Sequence, residues 1–228
     1  MRVRDLESAL QPLRTFETPK IRLEQYGTPP VIAAPALLAA HHEFDDFEGH
    51  SVIDLGTGPG ILGITCAILG ADHVIGIDAD PDALAIAADN VEQAEVEMDL
   101  IAAFVTDPAP ADGDRANESD VWSRLRADTV IMNPPFGTKT APGADMMFLR
   151  RALSIATRAV YSMHKTSTRE YVQRQAQRAG WNAHVVGELK YNLPASYRFH
   201  KRKSVNIEVD FIRFTPNASD SEAASDSD

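Results

Sequence analysis

The stretch DTVIMNPPFG, residues 128–137, indicates the class of fold. Its first half is β-branched and apolar, which predicts a short buried strand. Pro134 and Pro135 have no N–H group to continue a sheet, and they fix the backbone as it leaves the strand. Asn133, the two prolines and Phe136 therefore follow the carboxyl end of a strand, which is where open α/β sheets bind their ligands.

The residue types in this motif suit one kind of ligand group. An exocyclic amine on a flat base needs two hydrogen-bond acceptors and a ring face for stacking. The Asn133 side chain and the Pro134 carbonyl are acceptors, and Phe136 is an aromatic ring. Two prolines can also do no more than end a strand, but the full motif and a glycine-rich turn upstream favour a binding site.

The glycine-rich turn lies within residues 51–61, which read SVIDLGTGPGI and precede an apolar segment. This order predicts a strand, a turn at Gly56, Gly58 and Gly60, and a helix whose free N–H groups face a ligand. The turn lacks the last glycine of the dinucleotide-binding pattern, so we do not expect it to bind a phosphate.

Two acids accompany the turn. Asp54 ends the strand before it, and Asp78 ends a second strand, 22 residues after Gly56. An acid at the tip of the second strand is in the position that holds a ribose diol in sheets of this topology. The alternative is that Asp78 is only a solvated acid before the next helix, which Asp80 and Pro81 are expected to start.

Composition limits the function classes. The chain has 228 residues, of which 44% are hydrophobic, enough for one domain with a sizeable core. Its 33 acidic and 22 basic residues give a net charge of −11, which counts against nucleic-acid binding unless cations are concentrated locally. Only six of the basic residues are lysine. This acidic, lysine-poor composition resembles that of proteins from salt-loving archaea.

Several features exclude other classes. The one cysteine, Cys66, excludes an internal disulfide and a cysteine-based zinc site. His41 and His42 are adjacent on a predicted helix and face different ways, so we predict no metal site. The sequence has no apolar run of membrane-spanning length and no signal peptide at its start, which predicts a cytoplasmic protein.

The predicted organisation is a single domain over residues 1–215. Residues 1–50 are expected to form N-terminal helices and a loop that covers the binding site. Residues 107–120 are small, polar and acidic, which predicts a flexible loop. Residues 216–228 lack an apolar face, which predicts a disordered acidic tail.

A local reversal of charge lies between the last two predicted strands, where residues 197–203 read YRFHKRK. Basic residues mixed with aromatic ones suit a single-stranded nucleic acid. A solvated hairpin whose cations protect a sheet edge is the alternative. The residues expected to bind the nucleic acid are Lys139, Tyr197, Arg198, Phe199, His200, Lys201, Arg202 and Lys203.

Five segments together resemble one known family. They are EQYGT (24–28), DLGTGPG (54–60), NPPFGTK (133–139), YSMHKTSTR (161–169) and LPASYRFHK (193–201). They resemble the methyltransferase-like protein 5 family, which methylates adenine N6 in small-subunit ribosomal RNA, and the composition suggests an archaeal member. The resemblance implies a single Rossmann-like α/β domain, with a seven-stranded, mostly parallel sheet and helices on both faces. It also implies S-adenosylmethionine (AdoMet) as the cofactor, without a metal.

The resemblance also implies site residues. Asn133 and the Pro134 carbonyl would each accept an N6–H bond from the base, and Phe136 would stack on it, so Asn133, Pro134, Pro135 and Phe136 are assigned to catalysis. No strong base is needed, and the adenosine must be unpaired or flipped out. The expected AdoMet contacts are Gln25, Thr28, Asp54, Gly56, Gly58, Pro59, Ile61, Asp78, Asp107, Pro108 and Asn133.

Three alternatives remain at this point. DNA adenine-N6 methylation uses the same chemistry. Protein-glutamine N5 methyltransferases share the Asn-Pro-Pro motif, but they lack the basic segment and normally carry an N-terminal domain for which residues 1–50 are too short. A non-enzymatic AdoMet-binding scaffold would have a degraded motif, whereas this one is intact. The family further implies RNA as a partner and a small zinc-binding activator protein.

Overall fold

The structure is a computed structural model that describes residues 1–108, 121–137, 142–194 and 204–217. Short 3-10 turns lie at Ile21–Leu23 and Thr166–Thr168. The helices are α1 (Val3–Leu10), α2 (Pro30–Phe44), α3 (Ile61–Ile68), α4 (Pro81–Gln93), α5 (Val121–Arg124), α6 (Ala144–Ile155) and α7 (Arg169–Arg178). The strands are β1 (Ser51–Leu55), β2 (His73–Asp78), β3 (Asp99–Ala102), β4 (Ala127–Met132), β5 (Ala156–Lys165), β6 (Trp181–Pro194) and β7 (Ser204–Pro216).

The seven strands form one sheet in the order β3-β2-β1-β4-β5-β7-β6. β1 to β5 are parallel to one another, and β7 runs antiparallel to both of its neighbours. The predicted α/β class and the seven-stranded, mostly parallel sheet are therefore confirmed. The strand order reverses direction at β1, because the chain moves outward to β3 and then returns to place β4 on the other side of β1.

Helices cover both faces of the sheet. One buried cluster joins α1, α2 and α3 to the sheet through residues such as Leu37, Ile64 and Tyr161. The other joins α6 and α7 to the opposite face through residues such as Leu149 and Val172. Alternate residues of the central strands enter different clusters, as the two-residue period of a strand requires. Because helices cover both faces of the sheet, the central strands are almost continuously apolar.

Two element boundaries differ from what the local sequence predicts. The sequence predicts a third strand over residues 99–106, but β3 ends at Ala102. The sequence also predicts a helix over residues 145–159, but α6 ends at Ile155 and β5 begins at the next residue. The alanines there favour a helix, but tertiary contacts override this preference: Thr157 Oγ1 donates to the Ala127 carbonyl, and Arg158 binds Asp46. Most of the predicted acidic loop and the tail from residue 218 lie outside the described residues.

A buried carboxylate ties the end of α2 to β5 and β7. Asp46 is fully buried and accepts hydrogen bonds from Arg158 at 2.6 Å and from Tyr161 and Arg213 at 2.7 Å each. Burial opposes the ionisation of Asp46, but these three donors outweigh it and hold the pKa of the carboxyl below its ordinary value. The Arg213 guanidinium also lies 4.3 Å from the ring centre of Phe44.

We predict that Asp46→Asn lowers the free energy of unfolding by about 3–5 kcal/mol at pH 7, because it leaves two guanidinium groups without a buried counter-charge. Since the pKa of Asp46 is lowered from 3.8, this difference should shrink as the pH falls below that value. Denaturant titrations at several pH values would measure it. The neighbouring exposed Asp45→Asn is the matched control, and equal losses in both variants would contradict the role of Asp46.

Candidate active site

The candidate site lies where β1, β2 and β4 reach their carboxyl ends. Two cavities open there, and they share Phe16, Gln25 and Tyr26, so they form two parts of one cleft. Asp78 and Asn133 both line the first part. The sheet therefore brings together two residues that lie on different strands and that the sequence singled out separately.

A buried carboxylate holds the glycine turn between β1 and α3. Asp54 Oδ2 accepts hydrogen bonds from Thr57 Oγ1 at 2.7 Å and from the Gly63 amide at 2.8 Å. Burial raises the pKa of Asp54 to about 6, although these two bonds lower it. Asp54 does not line either part of the cleft. Its position in the structure makes it a support for the turn rather than a contact for a ligand.

Two glycines of the turn allow aromatic rings to lie close to its backbone. Gly56 and Gly58 have φ angles of +75° and +52°, which L side chains rarely adopt. A Cβ atom at Gly56 would lie 2.8 Å from the Phe148 ring, and one at Gly58 would lie 2.8 Å from the Phe16 ring. Two phenylalanines therefore stand directly over the turn, and both line the first part of the cleft.

Asp78 presents its carboxylate to the cleft from the end of β2. Its two oxygens accept hydrogen bonds from the amides of Asp80 and Gly58, each at 2.8 Å. Burial raises the pKa of Asp78 above its ordinary value, although these bonds lower it. The same bonds fix the orientation of the carboxylate, and each oxygen keeps further lone pairs for a ligand.

The segment before α2 is fastened over the cleft. Gln25 Nε2 donates to Asp80 at 2.6 Å, and the Lys20 ammonium lies 2.5 Å from the other oxygen of the same carboxylate. Further back, Asn90 exchanges hydrogen bonds with the backbone of Arg14 and donates to the Pro59 carbonyl at 2.8 Å. These bonds hold residues 14–25 against α4, so Gln25 lines both parts of the cleft.

The side chain of Asn133 is held in one orientation. Its Nδ2 donates to Thr28 Oγ1 at 3.0 Å and to the Tyr191 hydroxyl at 3.3 Å. Tyr191 is itself 1% exposed and donates to the Met163 sulfur. Asn133 Oδ1 is buried and accepts no hydrogen bond from the described residues. Because both donor hydrogens of the amide are used, its oxygen is the group of this side chain that remains to accept a hydrogen bond.

The aromatic ring of the motif is largely buried. Phe136 is 6% exposed and stacks on Tyr26, with ring centres 6.1 Å apart. The Lys165 ammonium lies 5.8 Å from the centre of the Phe136 ring and 3.4 Å from its carbonyl oxygen. Only a small part of the ring is left for stacking, and Tyr26, which lines both parts of the cleft, adds to this aromatic surface.

Residues 107 and 108 do not line the cleft. Arg150 binds the Asp107 side chain at 2.6 Å and holds its pKa below the ordinary value, and Arg151 donates to its carbonyl. These bonds tie Asp107 to α6, and Phe104 and Val105, which precede it in the chain, line the first part of the cleft. The cofactor contacts predicted for Asp107 and Pro108 stay predictions.

The other predicted cofactor residues divide between the two parts of the cleft. Gly56 lines the first, Thr28, Pro59 and Ile61 line the second, and Gly58 is not among the lining residues of either. Tyr191, which also lines the second, is a site residue that our sequence interpretation missed. Because it lies on β6, far from Asn133 in sequence, no local pattern pairs the two. The predicted RNA-binding residues, Lys139 and 197–203, lie outside the described residues.

One group of possible metal ligands lies at the opposite edge of the sheet. His41, Asp45 and Glu48 place one ligand atom each within 4.8 Å of one another, but both acids are exposed and such groups are common without an ion. We therefore assign no metal to it. Within the described ranges, no helix combines the length and the apolar character needed to cross a bilayer.

The fold and the site define a Rossmann-like methyltransferase. The family model of ribosomal protein L11 methyltransferase (PrmA) matches residues 37–133. The rRNA N(6)-adenosine-methyltransferase METTL5 of Danio rerio is 50% identical over 95% of this chain and 100% of the relative. The rRNA N(6)-adenosine-methyltransferase Mettl5 of Drosophila melanogaster is 48% identical over 94% of this chain and 96% of the relative. The chain belongs to this METTL5 family, as the five sequence segments predicted.

A solved structure extends the comparison to three dimensions. The crystal structure of a proposed RNA methyltransferase from Pyrococcus horikoshii has a TM-score of 0.79 and 32% identity, and covers 95% of this chain and 98% of that one. A branched-chain polyamine synthase from Thermus thermophilus, at 16% identity, shares the fold alone. The likeness to the Pyrococcus protein spans the sheet and the helices on both of its faces.

We predict that Tyr191→Phe lowers kcat for methyl transfer by about 2- to 10-fold, because the Asn133 amide loses one of its two anchoring bonds. The dissociation constant of the cofactor should change less than twofold. Adding Thr28→Val should lower kcat further, since it removes the second bond. Single-turnover kinetics and calorimetry would measure the two effects. Tyr171→Phe, on the exposed face of α7, is the control, and full activity of the Tyr191→Phe, Thr28→Val double variant would refute this role.

Proposed function

We propose that the chain transfers a methyl group from AdoMet to N6 of an unpaired adenosine in small-subunit ribosomal RNA. The observation that carries this proposal is Asn133, which lines the cleft together with Asp78 and whose buried Oδ1 accepts no hydrogen bond from the described residues. Membership of the METTL5 family supports the same substrate and atom, because the named relatives are rRNA N(6)-adenosine-methyltransferases.

The cleft fits AdoMet by its chemistry. The Asp78 carboxylate suits a ribose diol, and Gly56, which lines the cleft without a side chain, suits a ligand without a phosphate. Phe104 and Val105 offer an apolar wall for an adenine ring. When bound, AdoMet supplies an electrophilic methyl group on a positively charged sulfur. Gln25, Thr28, Pro59 and Ile61 would complete the cofactor site in the second part of the cleft.

The adenine would be held by the Asn133 motif. Asn133 Oδ1 accepts one N6–H bond and the Pro134 carbonyl accepts the other. Two acceptors on one amine favour a pyramidal nitrogen, whose lone pair is otherwise delocalised into the ring. Tyr26 and Phe136 provide the apolar surface beside the base. The contribution of these residues is positioning and electrostatics, and the product nitrogen is acidic enough to lose its proton to water.

The remaining alternatives are separated by their acceptors. DNA adenine and protein glutamine present the same kind of amine, but the METTL5 relatives favour RNA. RNA and DNA oligonucleotides of one sequence and a glutamine peptide, tested side by side, would distinguish them. The small zinc-binding activator protein inferred from the resemblance stays a prediction. An unchanged activity of the isolated chain on adding such a protein would count against it.

We predict that Asp78→Ala weakens AdoMet binding by at least about tenfold, because a hydrogen bond to a charged group contributes about 1.5–3 kcal/mol. The pKa of Asp78 is raised, so the affinity of the wild type should fall as the pH is lowered toward that pKa, and the variant should lose this dependence. Calorimetry between pH 5 and 8 would measure both. Exposed Asp82→Ala on α4 is the control. Wild-type affinity in Asp78→Ala would remove Asp78 from the cofactor site.

We predict that Asn133→Ala lowers methyl transfer by at least about 100-fold, in the range found when a transition-state hydrogen-bond partner is removed. AdoMet binding should remain measurable, since the lost acceptor acts on the adenine. Methylation of small-subunit rRNA would be followed by mass spectrometry of nucleosides, and N6-methyladenosine would be mapped with and without the gene. Exposed Asn182→Ala on β6 is the control. Near-normal turnover of Asn133→Ala would refute the mechanism.

A further inference from the structure

A separate groove lies where β7 continues past the end of β5. β5 ends at Lys165, which pairs with Val209, whereas residues 204–208 of β7 pair with β6 alone. This notch leaves the β7 edge open on one side. The residues that line it are Lys165, Thr166, Ser167, Lys190, Ile207 and Glu208. We refer to it as the β5–β7 groove.

Lys165 connects this groove to the Asn133 motif. Its ammonium donates to the Phe136 carbonyl at 3.4 Å and lies 5.8 Å from the ring centre. The same side chain lines the β5–β7 groove. A nucleotide whose base reaches Asn133 therefore has a cation beside it, and the strand that carries this nucleotide can continue into the groove.

The two lysines of the groove are free to attract an anion. In the described parts of the chain, neither Lys165 nor Lys190 forms an ion pair within 4 Å. Of the nearby carboxylates, Asp210 is already bound by Arg169 at 2.6 Å, and the same guanidinium binds Glu188 at 2.5 Å.

Two carboxylates remain in the vicinity. Glu208 lines the groove opposite Lys190 in the sheet register. Asp145 is near enough to feel the charge of Lys165, but burial raises its pKa and so weakens its hold on a cation. The lining of the groove thus contains two lysines and the exposed residue Ser167, but only one carboxylate, that of Glu208. This balance is opposite in sign to the net charge of −11 of the whole chain.

We propose that the β5–β7 groove binds the sugar-phosphate backbone of the RNA strand that carries the target adenosine. This inference rests on the proposed function and names residues that position its substrate. Lys165 binds the phosphate nearest the flipped base, and Lys190 binds one further along the strand. Lysine acts here as a point charge toward phosphate, and such contacts position a strand without selecting its sequence.

The experiment measures RNA affinity against salt for Lys165→Met and Lys190→Met, which remove the charges and keep most of the apolar stems. A fluorescent single-stranded RNA of mixed sequence is the probe, and its anisotropy gives the dissociation constant. For single strands, each lost phosphate contact lowers the slope of log affinity against log salt by about 0.7. We expect this decrease in each single variant and about twice as much in the double variant.

Matched measurements separate binding from folding and from chemistry. Arg178→Gln removes an exposed cation at the end of α7 that is far from the groove, about 15 Å along the helix axis from the first residue of α7. It should leave the salt slope unchanged. Lys190→Met should raise the KM for small-subunit rRNA about 3- to 10-fold with kcat nearly unchanged. Its melting temperature and AdoMet affinity should match those of the wild type.

Several results would overturn the inference. An unchanged salt slope in the double variant would show that RNA does not occupy the groove. Binding of inorganic phosphate that Lys190→Met abolishes, with RNA affinity intact, would identify a small-anion site instead. A lower kcat at unchanged KM would place Lys190 in the chemistry. If the wild type itself transfers no methyl group to RNA, the proposed function fails, whereas normal transfer with unchanged slopes refutes only the groove.

Discussion

The parallel pairing of β1 with β4 is the constraint on which the site depends. Val52 pairs with Thr129 and Asp54 with Ile131, so both strands end at the same edge of the sheet. The turn after β1 leads to α3 and β2, and the motif after β4 leads to α6 and β5, so the two connections diverge. A cleft opens between them without any special loop. A shift of register would separate Asn133 from the glycine turn.

The chain places two buried carboxylates at opposite edges of the sheet, with different consequences for stability. Asp46 has two guanidinium partners, and its pKa is lowered. Asp54 has only neutral donors, and its pKa is raised to about 6 from 3.8, which amounts to a cost of about 3 kcal/mol for ionised Asp54 at pH well above 6. The stable ion network thus lies away from the cleft, and the costly carboxylate supports the glycine turn, as is common at functional sites.

The sequence was informative wherever the residues that act together are near each other in the chain. The glycine turn, Asp78 and the Asn133 motif each follow a strand with a clear apolar pattern, and the seven-stranded, mostly parallel sheet was implied by the family that they resemble. Side-chain pairings across the sheet were not predictable. The Tyr191 bond to Asn133 spans 58 residues, and the bonds from Arg151 on α6 to the carbonyls of Thr106 and Asp107 span 45 and 44. Local propensity contains no information on such contacts.

The proposed reaction requires an acidic cofactor site next to a basic RNA site, because the cofactor carries a positively charged sulfur and RNA is a polyanion. Asp78 and Glu24 line the first part of the cleft, and Lys165 and Lys190 line the β5–β7 groove. Between them lies the motif of Asn133, which is neutral and so repels neither partner. At physiological salt the charges of exposed residues act over only about 8 Å. A net charge of −11 is therefore compatible with RNA binding, since a phosphate in the groove responds chiefly to the two lysines beside it.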